Sequence, residues 1–204
     1  MMRLAHVLSF LFHPLFIPTY VLVVAILANP STFQFIDNDP GIMLITVVVN
    51  TVLLPAAAIG IMKPLGFIKS FQMKERTDRI IPFVAGLFFY IWTVVVFVNQ
   101  GTSPVLFTAP LAGTLASLIL AFLINVLFIK ISLHAVAMGV AVSYFIAMVP
   151  VAEKNLLPFV IITILVAGLV GTARLLLRAH DHDEIYLGYL IGMVGQMVAL
   201  HLLL

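Results

Sequence analysis

The chain has no cysteine, one tryptophan and little charge, with eight acidic and ten basic residues in 204. Without thiols there is neither a disulfide framework nor thiolate chemistry. The shortage of charge excludes more. An ordinary soluble domain is roughly 25% charged, whereas this chain is 9% charged and 63% hydrophobic, too few polar groups to build a water-facing surface. Lipid is the expected solvent. The formal net charge of +2 gives no reason to expect a nucleic-acid partner.

In hydrocarbon every backbone N–H and C=O must be satisfied internally, which a helix does within its own segment. The expected fold is therefore all-α: a polytopic transmembrane helical bundle forming a single domain over residues 1–204. Crossing a bilayer takes roughly 20 apolar residues. Runs of that kind fall at 4–27, 42–62, 81–98, 105–128, 132–150, 157–177 and 184–204. Polar or proline-bearing separators divide them. Prolines within the first and third runs are able to end or kink a helix, and a re-entrant first segment reduces seven spans to six. The start has Arg3 and then an apolar run, but it lacks a small-residue cleavage site and carries Pro14 and Pro18. It reads as a retained span rather than a signal peptide.

Seven crossings put Arg3, Lys63, Lys69, Lys74, Arg76, Arg79, Lys130, Arg174 and Arg178 on one face and Lys154 alone among the cations on the other, with Asp37, Asp39 and Glu153. The positive-inside rule places the basic face in the cytoplasm. The expected location is a bacterial inner (plasma) membrane.

Three polar clusters are separated by pairs of spans, so all three return to one face. The first covers residues 69–82 and holds Lys74, Arg76 and Arg79; the second holds Lys130, Ser132 and His134; the third runs from Arg174 through His180 to Glu184. Cations at helix ends, where N-termini add partial positive charge, suit an oxyanion, and the planar arginine fork suits phosphate. Histidine adds a group that moves a proton near neutral pH or attacks as a nucleophile. An apolar tail would stay in the bilayer while its phosphate head enters the site.

The third cluster has Arg174, five residues, His180, three residues and Glu184, then Gly188 and Gly192. It resembles the third signature of the type 2 phosphatidic acid phosphatase superfamily, S-R-x5-H-x3-D with glycines after it. Ser132-Leu133-His134 resembles the family's second signature, P-S-G-H, and Lys74 to Pro82 is similar to its first, K-x6-R-P. The resemblance spans about residues 63–195, within a phosphatase-like core of about 63–204. It implies a membrane-embedded phosphatase that hydrolyses a lipid or isoprenoid phosphate through a phosphohistidine. His180 would be the nucleophile, His134 the general acid and Glu184 the group orienting His180. Lys74, Ser132 and Arg174 would hold phosphate, with no cofactor and no metal. Ile81 stands where the first signature has arginine, so Arg76 or Arg79 would substitute. Leu133 replaces glycine, Ala173 replaces serine and Glu184 replaces aspartate.

Other readings of the same residues stand beside these. A relative that binds or transports a lipid phosphate without hydrolysing it fits the altered second signature. Residues 180–184 are also a candidate imidazole and carboxylate metal cluster. Gly188 and Gly192 would let helices approach closely as a small-xxx-small pair. Ser132 is a natural helix N-cap. His6 and His13 read as interfacial or packing residues, and Phe88, Phe89, Tyr90 and Trp92 as bundle or lipid contacts.

Overall fold

Every regular element among the described residues is helical. The computed structural model describes residues 1–34, 39–68, 77–99 and 104–203. In chain order the helices are α1 (Met2–Leu11), α2 (Ile17–Ala28), α3 (Pro30–Gln34), α4 (Pro40–Val48), α5 (Leu54–Met62), α6 (Ile80–Asn99), α7 (Val105–Leu127), α8 (Leu133–Met148), α9 (Leu157–Leu176) and α10 (His182–Leu203). A π-helical turn at Val49–Leu53 joins α4 to α5. It lies just before Pro55, whose missing N–H removes a rung of the helix ladder.

Five helical stretches are long and apolar enough to cross a membrane: Pro40–Met62, Thr77–Asn99, Val105–Leu127, Leu157–Leu176 and His182–Leu203. Their outward faces are apolar too. Phe88, Trp92, Ile161 and Leu165 are each more than half exposed, an arrangement that suits hydrocarbon and not water.

The first apolar run is two helices, not one. Phe12 to Phe16 form a break, because Pro14 has no N–H to continue α1 and biases His13, the residue before it, away from helical dihedrals. The remaining bonds there are short-range turns, His13 N to Phe10 O and Phe16 N to His13 O. Pro82 has no such effect. It falls in the first turn of α6, where its N–H is not needed, and that helix runs unbroken.

Helix α8 is only 16 residues long, about 24 Å at 1.5 Å per residue. Every residue from His134 to Phe145 is buried, so α8 is the central post of the bundle. Its closest neighbour is α10, and glycine sets the approach. A Cβ on Gly192 would collide with the Val136 carbonyl oxygen and the Val140 nitrogen, and one on Gly139 with the Tyr189 carbonyl oxygen. Gly188 likewise faces the Ser132 carbonyl and Ala135. Backbone thus meets backbone along this seam, the contact that small residues permit between membrane helices.

At the end of α8 remote from His134, the turn before α9 is tied to the end of α2. Glu153 accepts from the backbone nitrogens of Ser31 (3.0 Å) and Thr32 (3.1 Å). Its own N–H donates to Asn29 Oδ1 at 3.1 Å, and Lys154 Nζ donates to Leu27 O at 2.8 Å. Hydrogen bonds from Ser31, and then from Thr32, hold the Glu153 carboxyl well below the ordinary carboxylate range.

Candidate functional site

The other end of the bundle collects the start of α6, the start of α8 and the turn between α9 and α10. Three links fix these strands of chain together. Arg79 Nη1 donates to Ile131 O at 3.1 Å, the Ser132 N–H donates to Glu184 O at 3.2 Å, and Lys130 Nζ lies 3.5 Å from Glu184 Oε2.

Helix α9 ends in a way that aims the next residues. Arg178 takes a left-handed conformation, φ 49°. Its N–H bonds Leu175 O at 2.9 Å, and the Ala179 N–H bonds Arg174 O at 3.1 Å. This is a Schellman turn with arginine where glycine is usual. It satisfies the last carbonyls of α9 and leaves His180 just ahead of α10.

His180 is 5% exposed. Its Nδ1 lies 2.5 Å from Glu184 Oε2, one helical turn along. A carboxylate only accepts, so Nδ1 carries the proton and Nε2 keeps a lone pair. Burial first, then the charges of Arg79, Arg174 and Lys130, hold the imidazole well below its ordinary pKa. His180 is thus a neutral ring of fixed tautomer at physiological pH.

His180 lines a cavity of about 230 Å³ with His13, Arg79, His134 and Arg174. Away from these groups the cavity is walled by Pro55, Ile59, Phe83, Gly86, Tyr90 and Leu118. The lining thus combines cations and imidazoles with a largely apolar wall. Arg174 Nε is buried and has no hydrogen-bond acceptor among the described residues. A buried guanidinium N–H without a partner is costly, and an anionic oxygen is the complement that would satisfy it.

Four of the sequence-derived residues, Arg79, His134, Arg174 and His180, therefore share one cavity, and Glu184 supports His180 from behind. Ser132 does not join them. It is fully buried and caps α8, its Oγ accepting from the Ala135 N–H at 3.5 Å. Leu133, standing for the glycine of the second signature, lines the cavity itself. His134 Nε2 is 3.0 Å from the Ser9 carbonyl oxygen, so that nitrogen is a donor engaged with α1. Lys74 and Arg76 lie outside the described residues.

No set of three histidine, aspartate or glutamate side chains is arranged to share an ion among the described residues. His182 instead stacks on Tyr186, ring centroids 6.2 Å apart. No protein-family model, curated protein or solved structure matches this chain.

His13 is the site residue that sequence reasoning assigned elsewhere. It lines the cavity with its ring edge-on to His134 at 5.3 Å. The available signal was a polar residue within an apolar run, directly before a proline. The side chain that it would meet was invisible, because His134 is more than a hundred residues away.

Proposed function

We propose that the cavity takes the headgroup of a phosphorylated lipid or isoprenoid and hydrolyses its phosphoester or diphosphate bond, in the manner of the type 2 phosphatidic acid phosphatases that the sequence resembles. The observation that carries this reading is His180. Its Nδ1–H is held by Glu184 and its Nε2 lone pair is free, in a cavity shared with Arg79 and with the unpartnered Nε of Arg174. Nε2 attacks phosphorus as the bond to the lipid oxygen breaks, and the leaving oxygen takes its proton from water. Water then cleaves the phosphohistidine, returning the lone pair to Nε2 and releasing phosphate. The cations offset charge on the phosphoryl oxygens throughout, and the apolar wall receives the first part of the chain.

The protein in this reading is an integral membrane phosphatase of six or seven spans in a bacterial inner membrane, its basic face cytoplasmic. The five long helices with α2 and α8 as shorter crossings would make seven, and a C-terminal reporter fusion tests the count and the face together. The test of the chemistry is phosphate release from purified protein with a panel of lipid phosphates. Wild type should turn over, and His180→Ala and Arg174→Ala should each lose most activity; unchanged turnover in both removes the mechanism.

A second reading has its own support. His134 Nε2 is engaged with Ser9, and Ser132 is buried at the cap of α8 and does not line the cavity, so two groups of the second signature are diverted. A protein that binds or transports a lipid phosphate without cleaving it would be stabilised by the ligand and release no phosphate.

A further inference from the structure

We propose that His13, from the break between α1 and α2, is an additional phosphate-binding residue that donates from Nε2 to a non-bridging oxygen of the headgroup. The inference rests on the reading of the cavity as a phosphate site, though not on hydrolysis.

A phosphate in this cavity presents oxygens that only accept, so the wall must supply N–H or O–H groups. Arg79 and Arg174 supply some. Ser132, which the resemblance assigns to this task, is fully buried outside the cavity with its oxygen turned to the Ala135 N–H. His134 presents its Nε2 proton to Ser9 O, leaving only the acceptor nitrogen of the neutral ring. His180 has its proton on Nδ1 against Glu184. Two imidazoles and a serine therefore line or flank the cavity without contributing a donor to it.

His13 is complementary to all three. Its Nδ1 accepts from the Leu15 N–H at 3.4 Å, so the neutral ring carries its proton on Nε2. No hydrogen bond among the described residues uses that N–H, and the residue lines the cavity alongside Arg174, His134 and His180. Three features hold it there: Pro14, which breaks the helix and turns His13 out of it; the bond from the Leu15 N–H; and the edge-on contact with His134 at 5.3 Å. The Ser9 carbonyl that engages His134 belongs to α1, so the same segment that diverts one donor brings another.

Two substitutions separate a donor from a spacer. His13→Asn keeps an acceptor at the position of Nδ1 for the Leu15 N–H but is too short to reach the cavity. His13→Gln places an amide N–H close to the position of Nε2. The probes are orthovanadate and a short-chain phosphatidic acid, each titrated into detergent-purified full-length protein and read by thermal stabilisation. The expected result is that His13→Asn weakens both by about 10-fold, the lower end of what a hydrogen bond to a charged group contributes, while His13→Gln stays within about 3-fold of wild type. In wild type labelled with 15N-histidine, saturation with vanadate should move the His13 Nε2 resonance, a readout that needs no variant to fold. Unchanged affinity in His13→Asn, equal loss in both variants, or an unmoved Nε2 resonance overturns the assignment. Wild-type binding without phosphate release overturns hydrolysis and leaves His13 standing; no binding of either probe by wild type overturns this proposal and the phosphate reading together.

Discussion

His180, just ahead of α10, and Glu184, in its first turn, have their Nδ1 and Oε2 atoms separated by 2.5 Å, and the carboxylate fixes which imidazole nitrogen keeps the lone pair. Glu184→Gln preserves shape but removes the charge and allows the opposite tautomer. Phosphate release should fall by about 100-fold or more, the lower end of what a positioned proton-handling group contributes, while KM for the lipid phosphate changes little. Steady-state kinetics on both parameters is the check; an equal rise in KM would mark Glu184 as a binding residue instead.

The pH dependence has a definite sign. His180 is buried and faces Arg79 just before α6, His134 on α8, Lys130 before it and Arg174 on α9, with the Glu184 carboxylate of α10 against its Nδ1. The net effect lowers its pKa, so the folded ring binds a proton less readily than an unfolded histidine with its pKa of 6.5. Its contribution to stability is complete above pH 6.5 and is lost as pH falls below that value. Activity should likewise persist below pH 6.5, since the nucleophile stays unprotonated. A kcat/KM profile whose acid limb is centred on 6.5 would contradict the lowered pKa.

Gly192→Ala should destabilise the protein by about 1–3 kcal/mol, the usual cost of overpacking a tight contact, because its Cβ would strike the backbone of α8 at Val136 and Val140. Moving α8 also moves His134. Thermal unfolding in detergent reads the first effect and vanadate affinity the second.

Arg178 occupies a left-handed conformation at φ 49° with an exposed side chain. That conformation costs a non-glycine residue roughly 1–2 kcal/mol, partly offset by the extra freedom that glycine gives the unfolded chain. Arg178→Gly should therefore raise stability by up to about 1 kcal/mol and leave turnover unchanged, both checked on the purified variant.

Gly86 faces the cavity, and a Cβ there meets nothing within 4 Å. It lies two turns beyond Arg79 on α6, roughly 10 Å along the helix at 1.5 Å per residue. Gly86→Leu should take up space in the cavity beside its apolar wall. Substrates with long chains should then lose kcat/KM relative to short-chain ones, measured across a chain-length series.

The apolar runs, the all-helical class and the places where polar clusters interrupt the helices were legible in the sequence, because each depends on residues close together in the chain. Gly188 and Gly192 announced a close helix contact for the same reason, and Arg174, His180 and Glu184 carried their relation in their spacing. Tertiary structure alone decided the rest. Whether Ser132 faces the cavity or caps α8 depends on the rotation of α8, and the engagement of His134 by Ser9 depends on where α1 docks. His13 became a cavity residue because Pro14 broke one expected span into two and the break came to rest beside α8. Periodicity and motif spacing report only local geometry; which donors remain unspent is a property of contacts between segments far apart in the chain, and those exist only once the bundle has packed.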